Sequence, residues 1–153
     1  MKAIMISIQP QWVSKILNKE KLVEIKKTMP KCELPCKVYI YCTMPNKQEN
    51  RKPHSWEVVW LKRVVAEFTL NKVDILERDL NDWLPKNRYD VSNELLKNIN
   101  FNQEQLWNYG QGKTLYAWHI DDLKIYDKPK ELSEFNVKRA IQSWCYVEEL
   151  EDE

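Results

Sequence analysis

Glycine is nearly absent, because the 153-residue sequence contains only Gly110 and Gly112. Phosphate-binding loops of the P-loop and dinucleotide-binding types need several glycines, since their backbone must approach the phosphates closely. The sequence therefore excludes nucleotide hydrolysis through such a loop. It also lacks a G-x-S-x-G nucleophile turn, an H-E-x-x-H zinc motif and an EF-hand loop, and we expect no cofactor.

Long hydrophobic runs are missing as well. The longest apolar stretches, such as 38–42 and 64–66, are far shorter than the roughly 18 residues that a membrane helix requires. Residues 1–8 lack the apolar core and the cleavage site of a secretory signal. We therefore expect no membrane association and a cytoplasmic location.

The cysteines do not follow the paired spacing of zinc sites. The candidate ligands are four cysteines and two histidines: Cys32, Cys36, Cys42, Cys145, His54 and His119. None of them fall at ligand intervals, so the sequence predicts no metal site and favours buried, reduced thiols. His119 shares a predicted strand face with Leu115 and Ala117, which favours a hydrogen-bonded core histidine over a catalytic one.

The composition is that of a globular protein, with 43% hydrophobic and 31% charged residues. The length predicts one domain over residues 1–153. The net charge of +1 conceals an asymmetry, because residues 1–72 carry a net +8 and residues 73–153 a net −7. A basic half gathered on one face would favour nucleic-acid binding, whereas the alternative is two ordinary solvated surfaces that attract each other.

The hydrophobic pattern predicts a mixed order of strands and helices. Alternation over residues 2–8 indicates a strand, and Pro10 suits the first position of a helix that ends near Glu20. Further strands are predicted over 22–27, 37–43, 64–70 with an extension at 72–76, 113–120, 123–126 and 144–147. An exposed loop is predicted over 46–53. Short helices are predicted within 79–112, with caps at Ser92 or Asp90 and at Asn102.

This order is not the regular alternation of a doubly wound sheet. It fits an α+β fold built on a mixed β-barrel, with a helix after the first strand and small helices inserted over 79–112 before the later strands. Residues 148–153 are predicted to form an acidic tail. The period of two places Glu24 and Lys26 on one side of their strand. Lys21 would project to the other side if the strand were already regular there, so Lys21 must lie in the connecting turn.

The segment 19–26 resembles the motif of the ASCH domain, in the PUA-like superfamily, whose pattern is close to Gly-x-Lys-Thr-x-Glu-x-Arg. Lys21 and Glu24 match this pattern. Lys19, Leu22 and Lys26 stand where Gly, Thr and Arg are expected, so the motif is degenerate. Segments 37–43, 64–68, 115–120 and 142–144 resemble the later strands of the family in order.

The resemblance implies a small PUA-like β-barrel with a cleft beside the first helix that binds RNA or a modified nucleoside. Some members are similar in fold to small amidohydrolases of acylated cytidine, which implies Lys21 and Glu24 as catalytic candidates. Glu67 is a further candidate carboxylate. Those enzymes have threonine at the position of Glu24, and a carboxylate there is expected to keep Lys21 protonated, which disfavours catalysis.

Binding is the simplest role for these side chains. In this hypothesis, Lys21 and Lys26 contact phosphate, Glu24 accepts hydrogen bonds from a base, and Trp118 or Trp12 stacks on the ring. The full predicted binding set is Lys21, Glu24, Lys26, Lys27, Trp12, Trp118, Trp56, Arg51 and Lys52. The alternative for Lys21 and Glu24 is a solvated surface pair, for Trp12 it is core packing, and for Arg51 and Lys52 it is a soluble loop.

Three functions follow from the sequence. The first is a module that binds nucleic acid, single-stranded RNA rather than duplex DNA, or a modified nucleotide in a basic cleft. The second is an enzyme, either an amidohydrolase of acylated cytidine or a nuclease, that uses Lys21 and Glu24. The third is a protein interaction domain with a vestigial cleft.

Overall fold

The structure is a computed structural model that describes residues 1–45, 55, 58–81, 83 and 87–151. Its strands are β1 (Lys2–Ile8), β2 (Val23–Lys26), β3 (Cys36–Cys42), β4 (Arg63–Leu70), β5 (Val73–Arg78), β6 (Tyr89–Asp90), β7 (Leu115–His119), β8 (Asp121–Lys130) and β9 (Trp144–Glu148). Its helices are α1 (Pro10–Leu17), α2 (Asn93–Ile99) and α3 (Gln103–Gly110), and a 3-10 turn spans Leu132–Phe135. The predicted loop 46–53 lies outside the described residues.

The strands form two sheets. One has the order β8-β4-β3-β1-β9 and the other the order β2-β7-β5-β6. Strand β1 pairs in parallel with β3, and α1 and β2 provide the crossover connection that a parallel pair requires. Strand β1 also pairs in antiparallel register with β9. The predicted α+β class is confirmed, and within the described residues the two sheets do not close into a hydrogen-bonded barrel.

Local signals account for the helix boundaries. Helix α1 starts at Pro10, whose missing N–H costs nothing at that position. The Ser92 side chain accepts from Leu95 N and begins α2. Asn102 and Gln105 form a reciprocal capping box at the start of α3. These caps confirm the predicted helices within 79–112, and that segment also contains the short strand β6.

Three apolar clusters fill the spaces beside the sheets. The first lies between the sheets and α1, and includes Ile4, Ile6, Val38, Phe68 and Trp118. The second joins the β2-β7-β5-β6 sheet to α2 and α3. The third covers the opposite face of the five-stranded sheet and includes Met5, Tyr39, Tyr41 and Phe135.

The segment expected to be an acidic tail packs against the five-stranded sheet as far as it is described. Glu148 belongs to β9, and Glu149 N donates to Met1 O over 2.8 Å. Leu150 N donates to the Tyr39 hydroxyl over 2.9 Å, which holds the segment over the third cluster. None of the helices in the described residues combines the length and the hydropathy that a bilayer crossing demands.

Candidate functional site

Strand β2 directs Glu24 and Lys26 into the space between the two sheets. Val23 and Ile25 belong to the cluster under α2 and α3, so the residues that alternate with them face the other way. Glu24 is paired across the ladder with Trp118, which lies in the cluster between the sheets. The alternation predicted for this strand is therefore confirmed, and it points two charged side chains inward.

A cavity of about 160 Å³ lies where β2, the start of α1 and the end of α3 meet. It is lined by Ile8, Gln9, Trp12, Glu24, Ile25, Lys26, Phe101 and Tyr109, and we call it the β2 cavity. For comparison, an apolar cavity of about 150 Å³ holds one benzene ring. The β2 cavity therefore has room for a single six-membered heterocycle.

Glu24 is 7% exposed and supplies the carboxylate of this cavity. Its Oε1 accepts a hydrogen bond from Ile25 N over 2.9 Å. The carboxylate makes no other hydrogen bond and no direct ion pair with the described part of the chain. A carboxylate has about four lone-pair sites, so Glu24 retains acceptor capacity for a ligand.

Lys26 is 8% exposed and supplies the cation. Its Nζ donates to Ser7 O over 2.9 Å, which ties β2 to β1 and leaves two N–H groups of the ammonium for a ligand. Burial lowers the pKa of Lys26 below its usual value, and the nearby Glu24 carboxylate offsets only part of that effect.

Lys21 lies in the turn before β2, as predicted, but it is buried rather than solvated, with 1% of its surface exposed. Its Nζ donates to Ile99 O and lies 4.2 Å from the ring centroid of Phe101 and 5.2 Å from that of Trp12. A surface ion pair with Glu24 is therefore excluded. Lys21 supports the aromatic side of the β2 cavity and does not itself line it.

Burial also changes the expected protonation of Lys21. Glu24 was expected to hold this amine protonated, and it does favour the charged form. Loss of hydration on burial is the larger effect, however, and it lowers the pKa of Lys21 below its usual value. The neighbouring Lys26 and Lys15 lower it further.

Aromatic rings form much of the remaining wall. Trp12 and Phe101 meet edge to face, with centroids 4.8 Å apart. Tyr109 lies at the end of α3, where burial and then the Glu24 carboxylate raise the pKa of its hydroxyl to about 12. The exposed Lys27 lies with its Nζ 4.8 Å from the Tyr109 centroid, at the rim of the cavity.

Other predicted site residues lie elsewhere. Trp118 is completely buried, donates from Nε1 to Thr28 O over 3.3 Å and packs on Trp144, so its ring faces are not open to a ligand. Glu67 is on the far face of the five-stranded sheet, where it pairs with Lys37 over 3.1 Å and accepts from the Tyr126 hydroxyl over 2.8 Å.

The structure therefore brings together Trp12, Glu24 and Lys26, and it separates Glu67 from them. Trp56, Arg51 and Lys52 lie outside the described residues. Within the described residues, no three His, Cys, Asp or Glu side chains are grouped as metal ligands, and no disulfide joins the four cysteines. His119 is half-buried rather than in the core, and it hydrogen-bonds through Nε2 to Asp74 over 2.7 Å on the face of β7 opposite to Trp118.

Sequence reasoning missed Gln9, Phe101 and Tyr109 as cavity residues. Gln9 occupies the N-cap of α1 without a side-chain capping bond, which leaves its amide for the cavity. Phe101 and Tyr109 come from the inserted helices and approach β2 only through the tertiary fold. Of these three residues, only Tyr109 had a signal in the sequence: the neighbouring Gly110 predicted that the helix ends there, which places Tyr109 at a helix terminus.

Comparison with known proteins identifies the fold. No protein-family model matches the sequence. The crystal structure of ASCH from Zymomonas mobilis superposes with a TM-score of 0.64 at 17% identity, covering 95% of this chain and 87% of that one. Two mutant forms of the same protein each give a TM-score of 0.62 at 17% identity, covering 97% and 95% of this chain and 91% and 88% of those chains. The chain has an ASCH-like fold.

One curated protein is also similar in sequence. It is named ATP synthase subunit alpha, from Ureaplasma parvum, and is 27% identical over 146 residues. The match covers 95% of this chain but 15% of that protein, so the ASCH-like chain spans only a small part of the relative's length.

Proposed function

We propose that this protein binds a nucleobase in the β2 cavity, as a free nucleoside or as one base of single-stranded RNA. One observation carries the proposal: a carboxylate and an ammonium two residues apart on β2 face a ring-sized cavity walled by Trp12, Phe101 and Tyr109. The ASCH-like fold supports the same function.

The chemistry of the cavity suits the edge of a heterocycle. Glu24 is placed to accept from an exocyclic amino or ring N–H group, and Lys26 to donate to a ring carbonyl. The aromatic side chains offer faces and edges to the flat ring. Since such a ring must leave a duplex to enter a cavity, single strands are favoured. Lys27 at the rim is placed to contact a phosphate, which positions the strand without reading its sequence.

We expect Glu24→Gln and Lys26→Met each to weaken nucleoside binding roughly tenfold or more. A hydrogen bond to a charged group contributes about 1.5–3 kcal/mol, and each variant removes one such charge from the cavity. Calorimetric titration with the four ribonucleosides and with a short single-stranded RNA measures this effect. Exposed residues with the same side chains provide the controls Glu33→Gln and Lys31→Met.

Thermal unfolding of each variant separates lost binding from lost folding. Both controls should bind like the parent protein. Equal affinity in the parent and in both cavity variants, or no binding of any nucleoside or RNA by the parent, would contradict the proposal. If the protein also fails to hydrolyse an acylated nucleoside, an interaction domain remains as the third function.

The lowered pKa values of Lys21 and Lys26 favour a second candidate, hydrolysis of an acylated nucleoside, because a lowered pKa makes the neutral, nucleophilic form of an amine easier to reach. The distant Glu67 and the enclosed Lys21 weigh against it. We therefore expect no acetate release above the blank when the protein is incubated with N4-acetylcytidine and the products are separated by chromatography. Release that disappears in Glu24→Gln would favour the hydrolase instead, and cleavage of the RNA in the same assay would favour a nuclease.

A further inference from the structure

A second cavity, of about 710 Å³, lies on the opposite face of the five-stranded sheet. We call it the distal cavity, and it lies between β3, the turn before β4 and the segment that includes the 3-10 turn. Its polar lining residues are Tyr41, Lys62, Glu131, Ser133, Asn136 and Lys138. Cavities of about 300–1,000 Å³ are typical of small-molecule sites, and the proposed nucleobase function makes no use of this one.

Tyr41 points into the distal cavity from the centre of the sheet. The residue is 2% exposed, and its ring belongs to the third apolar cluster. The Tyr41 hydroxyl has no hydrogen-bond partner in the part of the chain that the structure describes. Burial raises the pKa of this phenol, so it remains neutral and able to donate a hydrogen bond. The hydroxyl itself is not sealed inside the core, so it is able to donate to a ligand in the cavity.

The charge around the distal cavity is positive. Lys62 and Lys138 are exposed at its edge, and neither forms an ion pair with any described residue. The acidic residue of the lining, Glu131, is already engaged: it pairs with Arg63 Nε over 3.1 Å, and its side chain accepts from the backbone N–H of Glu134. Two cations are therefore left without a counter-charge.

Neutral donors and an apolar wall complete the site. The Ser133 hydroxyl and the Asn136 amide line the cavity, and neither side chain has a hydrogen-bond partner among the described residues. Leu132, Val137 and Ala140 provide an apolar side. Hydrogen-bond donors and apolar side chains therefore line the same cavity.

We propose that the distal cavity binds a phosphate monoester. The two lysines match its two negative charges, and the Tyr41, Ser133 and Asn136 side chains are donors for its terminal oxygens. The organic group of the ester lies against the apolar wall. The phosphate belongs either to a free small-molecule ester or to the 5′ end of an RNA, and the same residues recognise it in both cases.

Calorimetric titration with phenyl phosphate tests this proposal, with the uncharged benzyl alcohol as the reference for the apolar contribution. We expect saturable binding of the phosphate, weakened roughly tenfold by Lys62→Met or by Lys138→Met and several-fold by Tyr41→Phe. Lys128→Met, an exposed lysine of β8 outside the cavity, is the matched control and should bind like the parent protein. Glu24→Gln should also leave this affinity unchanged, which separates the proposal from the nucleobase function.

A tetranucleotide with and without a 5′ phosphate distinguishes the two sources. Tighter binding of the phosphorylated form that Lys138→Met abolishes would assign the site to an RNA end, whereas equal binding of both forms would assign it to free esters. Absence of saturable binding of phenyl phosphate up to about 10 mM would overturn the proposal, since such affinity is below that of a specific site. Full affinity in a folded protein with both lysines replaced would overturn it as well.

Discussion

Replacement of Trp118 by alanine should lower the free energy of unfolding by about 4 kcal/mol, a typical loss for a fully buried tryptophan. Trp118 lies on β7 in the four-stranded sheet, but its side chain is part of the cluster between the sheets. Its ring centroid is 5.8 Å from that of Trp144 on β9, which belongs to the other sheet. Truncation would therefore leave a void where the two sheets meet.

The matched control is Trp83→Ala, because Trp83 is 93% exposed. We expect that change to alter the free energy of unfolding by no more than about 0.5 kcal/mol. Urea denaturation followed by circular dichroism measures both variants on the same scale. Similar small losses in the two proteins would contradict the structural role of Trp118 and would return it to the candidates for base stacking.

The strands and caps were predictable because their signals are local. Alternation at residues 2–8 defined β1 to the residue, and Asn102 with Gln105 defined the start of α3. Strand β8 was predicted over 123–126 but spans Asp121–Lys130. Its additional residues are mostly charged and exposed, and β-ladder pairing with β4 rather than a hydrophobic pattern places them in the sheet.

The site was predictable only in part, because some of its contacts join residues that are distant in the sequence and leave no local signal. The period of two placed Glu24 and Lys26 on one face from sequence alone. The burial of Lys21 depends on the carbonyl of Ile99, which is 78 positions away in the chain, and on the ring of Phe101. No local pattern carries such a contact, so Lys21 was predicted to be at the surface of the cleft.

Glu67 shows the limit of arguments from the alternation of side chains along a strand. Its predicted orientation, opposite to Ala66 and Phe68, is consistent with the structure, because those two residues belong to the cluster between the sheets and Glu67 faces the other side. Alternation alone could not establish which face of the five-stranded sheet is on the side of the β2 cavity. The answer required the packing of β2 and α1 on one face of the sheet and of the 3-10 turn on the other.

The close contact between α3 and β6 gives a second large effect, since we expect Gly110→Ala to lower the free energy of unfolding by about 3 kcal/mol. Gly110 is the last residue of α3, and a Cβ atom there would overlap the Tyr89 hydroxyl and lie 2.8 Å from Leu115 Cδ1. Tyr89 is fully buried and its hydroxyl donates to Lys113 O over 2.7 Å, so it has no room to move aside. Overpacking typically costs about 1–3 kcal/mol, and displacement of the hydroxyl adds about 1 kcal/mol for the lost hydrogen bond.

A second substitution tests this cause. Tyr89→Phe alone should destabilise the protein by about 1 kcal/mol, because Lys113 O loses its donor. In the Gly110→Ala background the same change removes the overlapping oxygen and should restore part of the lost stability, so the two effects are not additive. Tyr109 precedes Gly110 and lines the β2 cavity, and Gly110→Ala should therefore also weaken nucleobase binding. Strictly additive losses in a double-mutant cycle by urea denaturation would show that the contact with Tyr89 is not the cause.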